Sequence, residues 1–139
     1  GGSVGKSNLP CMRKLIVVAF LLVTTLASSA DVAIEELLVR RQDSNVNIRV
    51  NLHNPSAEAQ QGPIVVALMV RKDASRPWTT IHTWNNISKL APGYRVSRDY
   101  FDENNTVLAD LAASGTFEVK AFVRAPGDAS VESVTTFKD

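Results

Sequence analysis

The sequence predicts an all-β fold, a sandwich of about seven short strands with one short inserted helix, built from residues 31–139. Three observations predict it. Apolar and polar residues alternate with a period of two, most clearly in "NVNIRVNLHN", the signature of a half-buried strand. Pro, Gly, Asn and Ser cluster between the alternating runs as turns. No cysteine falls within 31–139, and that length is enough for a single core without disulfides.

Each element has its own justification. "DVAIEELLVRR" fits strand or helix by pattern, and its shortness and closeness to the next strand favour a strand. In the second strand Val46, Ile48, Val50 and Leu52 alternate with Asn47, Arg49, Asn51 and His53. "NPSAEAQQGP" is rich in turn residues and reads as a loop. From Ile64 to Val70 the chain is continuously apolar, so this third strand is covered on both faces or exposes an apolar one. "DASRP" turns the chain into "WTTIHTW", whose alternation puts Trp78, Thr80, His82 and Trp84 on one face and Thr79, Ile81 and Thr83 on the other. Pro92-Gly93 suits the corner of the next turn, and "YRVSRDYF" is the fifth strand. "NNTVLADLAASG" predicts the helix: Asn105 or Thr106 caps it, Val107, Leu108 and Leu111 share a face, and Gly115 ends it. "TFEVKAFVR" points Phe117, Val119, Ala121 and Val123 inward, "APGD" turns, and "SVESVTTF" closes the domain.

Residues 1–30 read as material outside the domain. Gly1, Gly5, Lys6 and Ser7 resemble a phosphate-binding loop, but only three residues separate the glycines and no strand precedes them. Pro10 comes too soon for the helix that would aim its N-terminus at an anion. From Met12 onward the order is that of a signal peptide. Arg13-Lys14 is followed by the apolar run Leu15–Ala27 and by the small residues Ser28-Ser29-Ala30. The run is shorter than the ~20 residues of a membrane-spanning helix. A cut after Ala30 is expected, with residues 1–11 lying upstream of the start and 12–30 forming the leader. Cys11, the one cysteine, precedes the apolar core, where a lipid-anchoring cysteine would not lie. The expected location is periplasmic or secreted, with no membrane attachment after cleavage.

Charge and chemistry narrow the function classes. Lys6, Arg13 and Lys14 are the basic residues before the cut, so their removal takes a chain of formal net charge +1 to about −2. Both signs are interspersed and no basic stripe invites nucleic acid. His53 and His82 lack a neighbouring nucleophile turn, and spacing suggests no third metal ligand for them. Asp99, Asp102 and Glu103, with Asn104 and Asn105, offer hard oxygen ligands, but they do not follow a calcium-loop pattern. They read as a solvated turn that places acids near the helix N-terminus. Paired carboxylates for glycoside hydrolysis need a cleft that so small a sandwich seldom offers. Asn86-Ile87-Ser88 and Asn104-Asn105-Thr106 are glycosylation sequons, which matter only in a eukaryotic secretory path. The chain is therefore expected to be non-catalytic, with no cofactor and no metal.

The order of elements resembles the cell-adhesion-related domain found in bacteria, an immunoglobulin-like or fibronectin-III-like sandwich. The matching stretches are "ADVAIEELLV", "NVNIRVNLHNPSAEAQQGPIVVALMV", "LAPG" and "SGTFEVKAFVRAPGDASVES". The helix around Leu108 and the lack of an acidic, Asn-rich tail depart from it. The resemblance implies a binding or spacer module with no catalytic residues to transfer.

In an immunoglobulin-like layout the Ile64–Val70 and Phe117–Val123 strands neighbour each other in one sheet. With Ile64, Val66, Leu68 and Val70 inward, Val65, Ala67 and Met69 point outward. Phe122 joins them from the neighbouring strand. The "WTTIHTW" strand, in the same sheet, could add Trp78, His82 and Trp84. The result is an apolar, aromatic outer face of the kind that marks binding surfaces. The other reading is that a Trp enters the core, as is common in such sandwiches, and that loops or the short helix cover the rest. A protein partner or a homodimer is the expected occupant of the outer face. A polysaccharide stacking on Trp78 and Trp84 is the alternative.

Overall fold

The computed structural model describes residues 32–139. The expected upstream stretch 1–11, the expected signal peptide 12–30 and the expected first mature residue, Asp31, lie outside the described residues. Among the described residues the chain forms β1 (Ala33–Gln42), β2 (Asn45–His53), β3 (Gln60–Arg71), β4 (Thr79–Leu90), β5 (Arg95–Tyr100), α1 (Thr106–Ala113), β6 (Thr116–Arg124) and β7 (Val131–Lys138). The strands make a three-stranded sheet, β1-β2-β5, facing a four-stranded sheet, β4-β3-β6-β7, with every pairing antiparallel. This is the seven-stranded, immunoglobulin-like sandwich with a short helix that the sequence predicts. No helix among the described residues is long and apolar enough to cross a membrane.

The core follows from the alternation. Val46, Ile48, Val50 and Leu52 of β2 face Ile64, Val66, Leu68 and Val70 of β3 and Phe117, Val119, Ala121 and Val123 of β6, none more than 2% exposed. Each large apolar side chain removed from water in this way contributes roughly 1.5–3 kcal/mol.

The boundaries differ most from the sequence reading in β3 and β4. β3 begins at Gln60 rather than Ile64, because Gln60 and Gln61 pair with Leu90 and Lys89. β4 starts one residue after Trp78 and runs on past Trp84, through Ile87 and Leu90, both buried. Pro63 lies inside β3, where the register with β4 shifts between Gln61 and Ile64. A bulge is one of the few places where a strand accepts proline. Gly62, beside it, faces the carbonyl oxygens of Ile87 and Ser88, which a Cβ would meet at 2.5 and 2.6 Å.

The two ends of the sandwich are closed differently. At one end sits α1, capped by Asn105, whose side chain accepts from the Leu108 N–H at 2.9 Å. Leu108 and Ala112 enter the core, at 0% and 1% exposure. Arg41 donates to the Ala112 carbonyl at 2.9 Å and to the Asp139 carboxylate at 2.6 Å, fastening the helix end beside β1 and β7. At the other end the buried Asn54 bonds to the turns after β2 and β4. The β4–β5 turn reverses at Gly93, whose φ of +77° lies in the region that favours glycine.

A candidate protein-contact face

The inward run of β3 fixes its outward set. Val65, Ala67, Met69 and Arg71 lie on the outer side, although Ala67, expected to be outward and exposed, is only 8% exposed under its neighbours, and each has a direct partner across β6: Arg124, Phe122, Lys120 and Glu118. β7 extends these rows with Glu132 beside Phe122, Val134 beside Lys120 and Thr136 beside Glu118. Val65, Met69 and Phe122 are half-buried, while Val134 is 51% exposed. The apolar members are therefore Val65, Ala67, Met69 and Phe122 within the sheet and Val134 on its edge strand, with Lys120 set between Met69 and Val134 and Arg71, Glu118, Arg124 and Glu132 around them.

Trp78 reaches this face although it precedes β4. The Arg71 guanidinium lies over its ring at 4.0 Å and the Lys120 ammonium at 4.9 Å. Such cation–π contacts contribute about 0.5–1 kcal/mol each at exposed sites. Both cations are tied down as well: Arg71 donates to Glu118 at 2.7 Å, and Lys120 lies 3.6 Å from Glu132. The indole is thus held by side chains of β3 and β6. Sequence reading missed Arg71, Lys120 and Val134 as members of the face. Extending the period of two along β3, β6 and β7 would have found them.

His82 and Trp84 do not share the face with Trp78: the shared-face reading fails for them, and the reading that takes a Trp inward holds for Trp84, which packs against the core. The register between β3 and β4 shifts between Leu68 and Met69, so Met69 pairs with Thr80 while Leu68 pairs with His82 and Val66 with Trp84. The extra residue, Ile81, breaks the period of two, as a bulge does. Thr80 and Thr83 consequently face outward. His82 and Trp84 turn inward and lie across the side of the sandwich where β4 overhangs β5. Their rings meet edge to face at 4.6 Å, and His82 lies 4.9 Å from the ring of the buried Tyr100 on β5. The two tryptophans therefore stand on opposite sides of β4.

The outer face of the three-stranded sheet is chemically different. Arg49 pairs with Asp99 at 2.7 Å, and Arg95 with Glu35 at 2.7 Å. Asn51 donates to Glu36 and accepts from Ser97. His53 lies 3.8 Å from Glu35. The hydrogen bond from Arg95 holds the Glu35 carboxyl below the usual carboxylate range. This face is a lattice of satisfied polar groups.

The residues weighed for chemistry are dispersed. His53 and His82 lie on different sheets. Asp99 is engaged by Arg49, while the Asp102 carboxylate accepts from the Asn104 N–H and its carbonyl from Asn45. Among the described residues no three His, Cys, Asp or Glu side chains group as a metal site. A depression of about 350 Å³ next to Val65, lined by Pro63, Arg124 and Pro126, continues the apolar face toward the β6–β7 turn.

No family model matches the chain, that of the cell-adhesion-related domain included, and no curated protein matches it. Among solved structures it is similar to the archaellum periplasmic stator protein FlaG from Sulfolobus acidocaldarius. That likeness has 13% identity and a TM-score of 0.46, over 75% of this chain and 97% of that one. It is also similar to a chain of the archaellum periplasmic stator protein complex FlaF and FlaG from the same organism. There the identity is 12% and the TM-score 0.47, over 86% of this chain and 100% of that one.

Proposed function

We propose that this chain is an exported, non-catalytic module that binds a protein partner through the outer face of its four-stranded sheet. The contrast between the two outer faces carries the reading. One is laced with ion pairs and offers little to desolvate profitably. The other keeps Val65, Met69 and Phe122 within the sheet and Val134 on its edge strand, with Trp78 held among Arg71 and Lys120. Apolar side chains with an aromatic anchor and charges around them are the anatomy of a protein interface. Arg71 and Lys120 are already engaged by Glu118 and Glu132, so it is Arg124, beside Val65, that favours a carboxylate on the partner surface. A polysaccharide platform draws no support from the geometry. The two indoles face opposite ways, and a guanidinium occupies one face of Trp78.

Site-specific photo-crosslinking in the cell envelope tests this. A benzophenone side chain at position 69 or 122 is expected to give a discrete protein adduct, and one at position 49 on the opposite face none. Equal yields from both faces, or no adduct from 69 and 122, would overturn it.

A further inference from the structure

Four strands end the two sheets: β1 and β5 in one, β4 and β7 in the other. An edge strand presents unpaired N–H and C=O groups, and proteins blunt such edges with bulges, charges, proline or shortness. Three of these four edges are blunted. β1 breaks register between Ile34 and Glu36 and carries Glu35, Glu36, Arg40 and Arg41. β5 has only 6 residues, among them Arg95, Arg98 and Asp99. β4 shifts register with β3 at three places.

β7 has neither a bulge nor a proline, and its charges, Glu132 and Lys138, lie toward its two ends. It pairs with β6 continuously from Thr116–Lys138 to Val123–Val131, with no shift and no proline. β1 approaches it from the other sheet, reaching it through Arg41, which lies over the Phe137 ring and pairs with Asp139. That contact comes from the core side and forms no ladder with the edge.

We propose that β7 pairs antiparallel with β7 of a second copy of this chain, joining the two four-stranded sheets into one. The sequence of the strand is self-complementary in one register. With Thr135 on the two-fold axis, Glu132 stands opposite Lys138 of the second copy, and Lys138 opposite its Glu132. Val134 then stands opposite Thr136. Paired positions differ by even steps, so every side chain keeps its face: Phe137 stays in the core, and Glu132, Val134, Thr136 and Lys138 stay outside. The hydrogen bonds come from the backbone, and the two symmetric ion pairs set the register. This contact lies at the sheet edge and is distinct from the partner face. It makes two such faces continuous.

Charge reversal tests it by sedimentation over a wide concentration range. The unmodified protein is expected to dimerise reversibly. Glu132→Lys or Lys138→Glu alone places like charges opposite each other twice and weakens the dimer about tenfold or more. The double variant, Glu132→Lys with Lys138→Glu, restores it, and that recovery also excludes misfolding as the cause of the loss. A protein that stays monomeric at every concentration, or a dimer indifferent to both single reversals, would overturn the proposal. Photo-crosslinking from positions 69 and 122 reads the partner face separately, so either reading can fail without the other.

Discussion

The side-chain amide of Asn54 donates to the carbonyl oxygen of Leu90 at 2.9 Å, joining the turn after β2 to the end of β4. Its second amide hydrogen goes to the Glu58 carbonyl at 2.8 Å, and its oxygen accepts from the N–H and hydroxyl of Ser56. The backbone of the same residue takes a bond from Gly93 and gives one to Tyr94. Asn54 is fully buried, so each lost bond strands a polar group away from water. Asn54→Ala is expected to cost about 2–3 kcal/mol in urea unfolding, while Asn47→Ala, at a half-exposed position of β2, stays within about 0.5 kcal/mol. Equal costs would mean that the clamp contributes nothing.

Gly62 is expected to be the least replaceable glycine. A single methyl there meets two carbonyl oxygens of β4, and backbone must move to admit it. Gly62→Ala should lower stability by about 1–3 kcal/mol, seen as a shift in the denaturation midpoint at constant slope.

Phe117 and Phe122 sit five residues apart in sequence but on opposite sides of β6. Phe117 is 0% exposed and packs on Phe137 at 5.2 Å between ring centres. Phe117→Ala should cost about 3–5 kcal/mol. Phe122→Ser, which surrenders only partial burial, should cost about 1 kcal/mol or less. If partner binding falls with the second change while the melting curve barely moves, the face has been separated from the fold.

Glu35 gives a dependence on pH whose sign follows from its bond to Arg95. Its carboxyl titrates lower folded than unfolded. The stabilisation is therefore present above the unfolded value and is lost as pH falls through the folded one. Thermal unfolding followed into the acid range should show a shallower decline for Glu35→Gln than for the unmodified protein. Added salt should shrink the difference, because the pair is exposed. A steeper decline for Glu35→Gln would reverse the sign and refute the assignment.

The strands were legible wherever one side of the chain meets the core and the other meets water. Val46 to Leu52 announces itself in this way, and the parity of Ile64 to Val70 and of Phe117 to Val123 was enough to place Val65, Met69 and Phe122 outside. Parity is also what failed. One additional residue at Ile81 rotates the rest of β4, and nothing in "WTTIHTW" signals it, because Thr, Ile and Trp are acceptable on either face of a strand. The position of Trp78 was equally hidden. It depends on Arg71 and Lys120, which come from two other strands and are brought together only by the β3–β6 register. The helix was visible through its Asn105 cap, but the use made of it was not, since Leu108 and Ala112 find their place only once both sheets exist.

That helix has a consequence for how such a molecule can recognise anything. Many sandwiches present their ligands to the loops at one tip. Here α1 stoppers one tip and the Asn54 knot cinches the other, so both poles are taken up with holding the layers together. Under the proposed function, recognition falls to the flanks and the rims, which favours broad, flat engagement along the strands over a grip by fingertips.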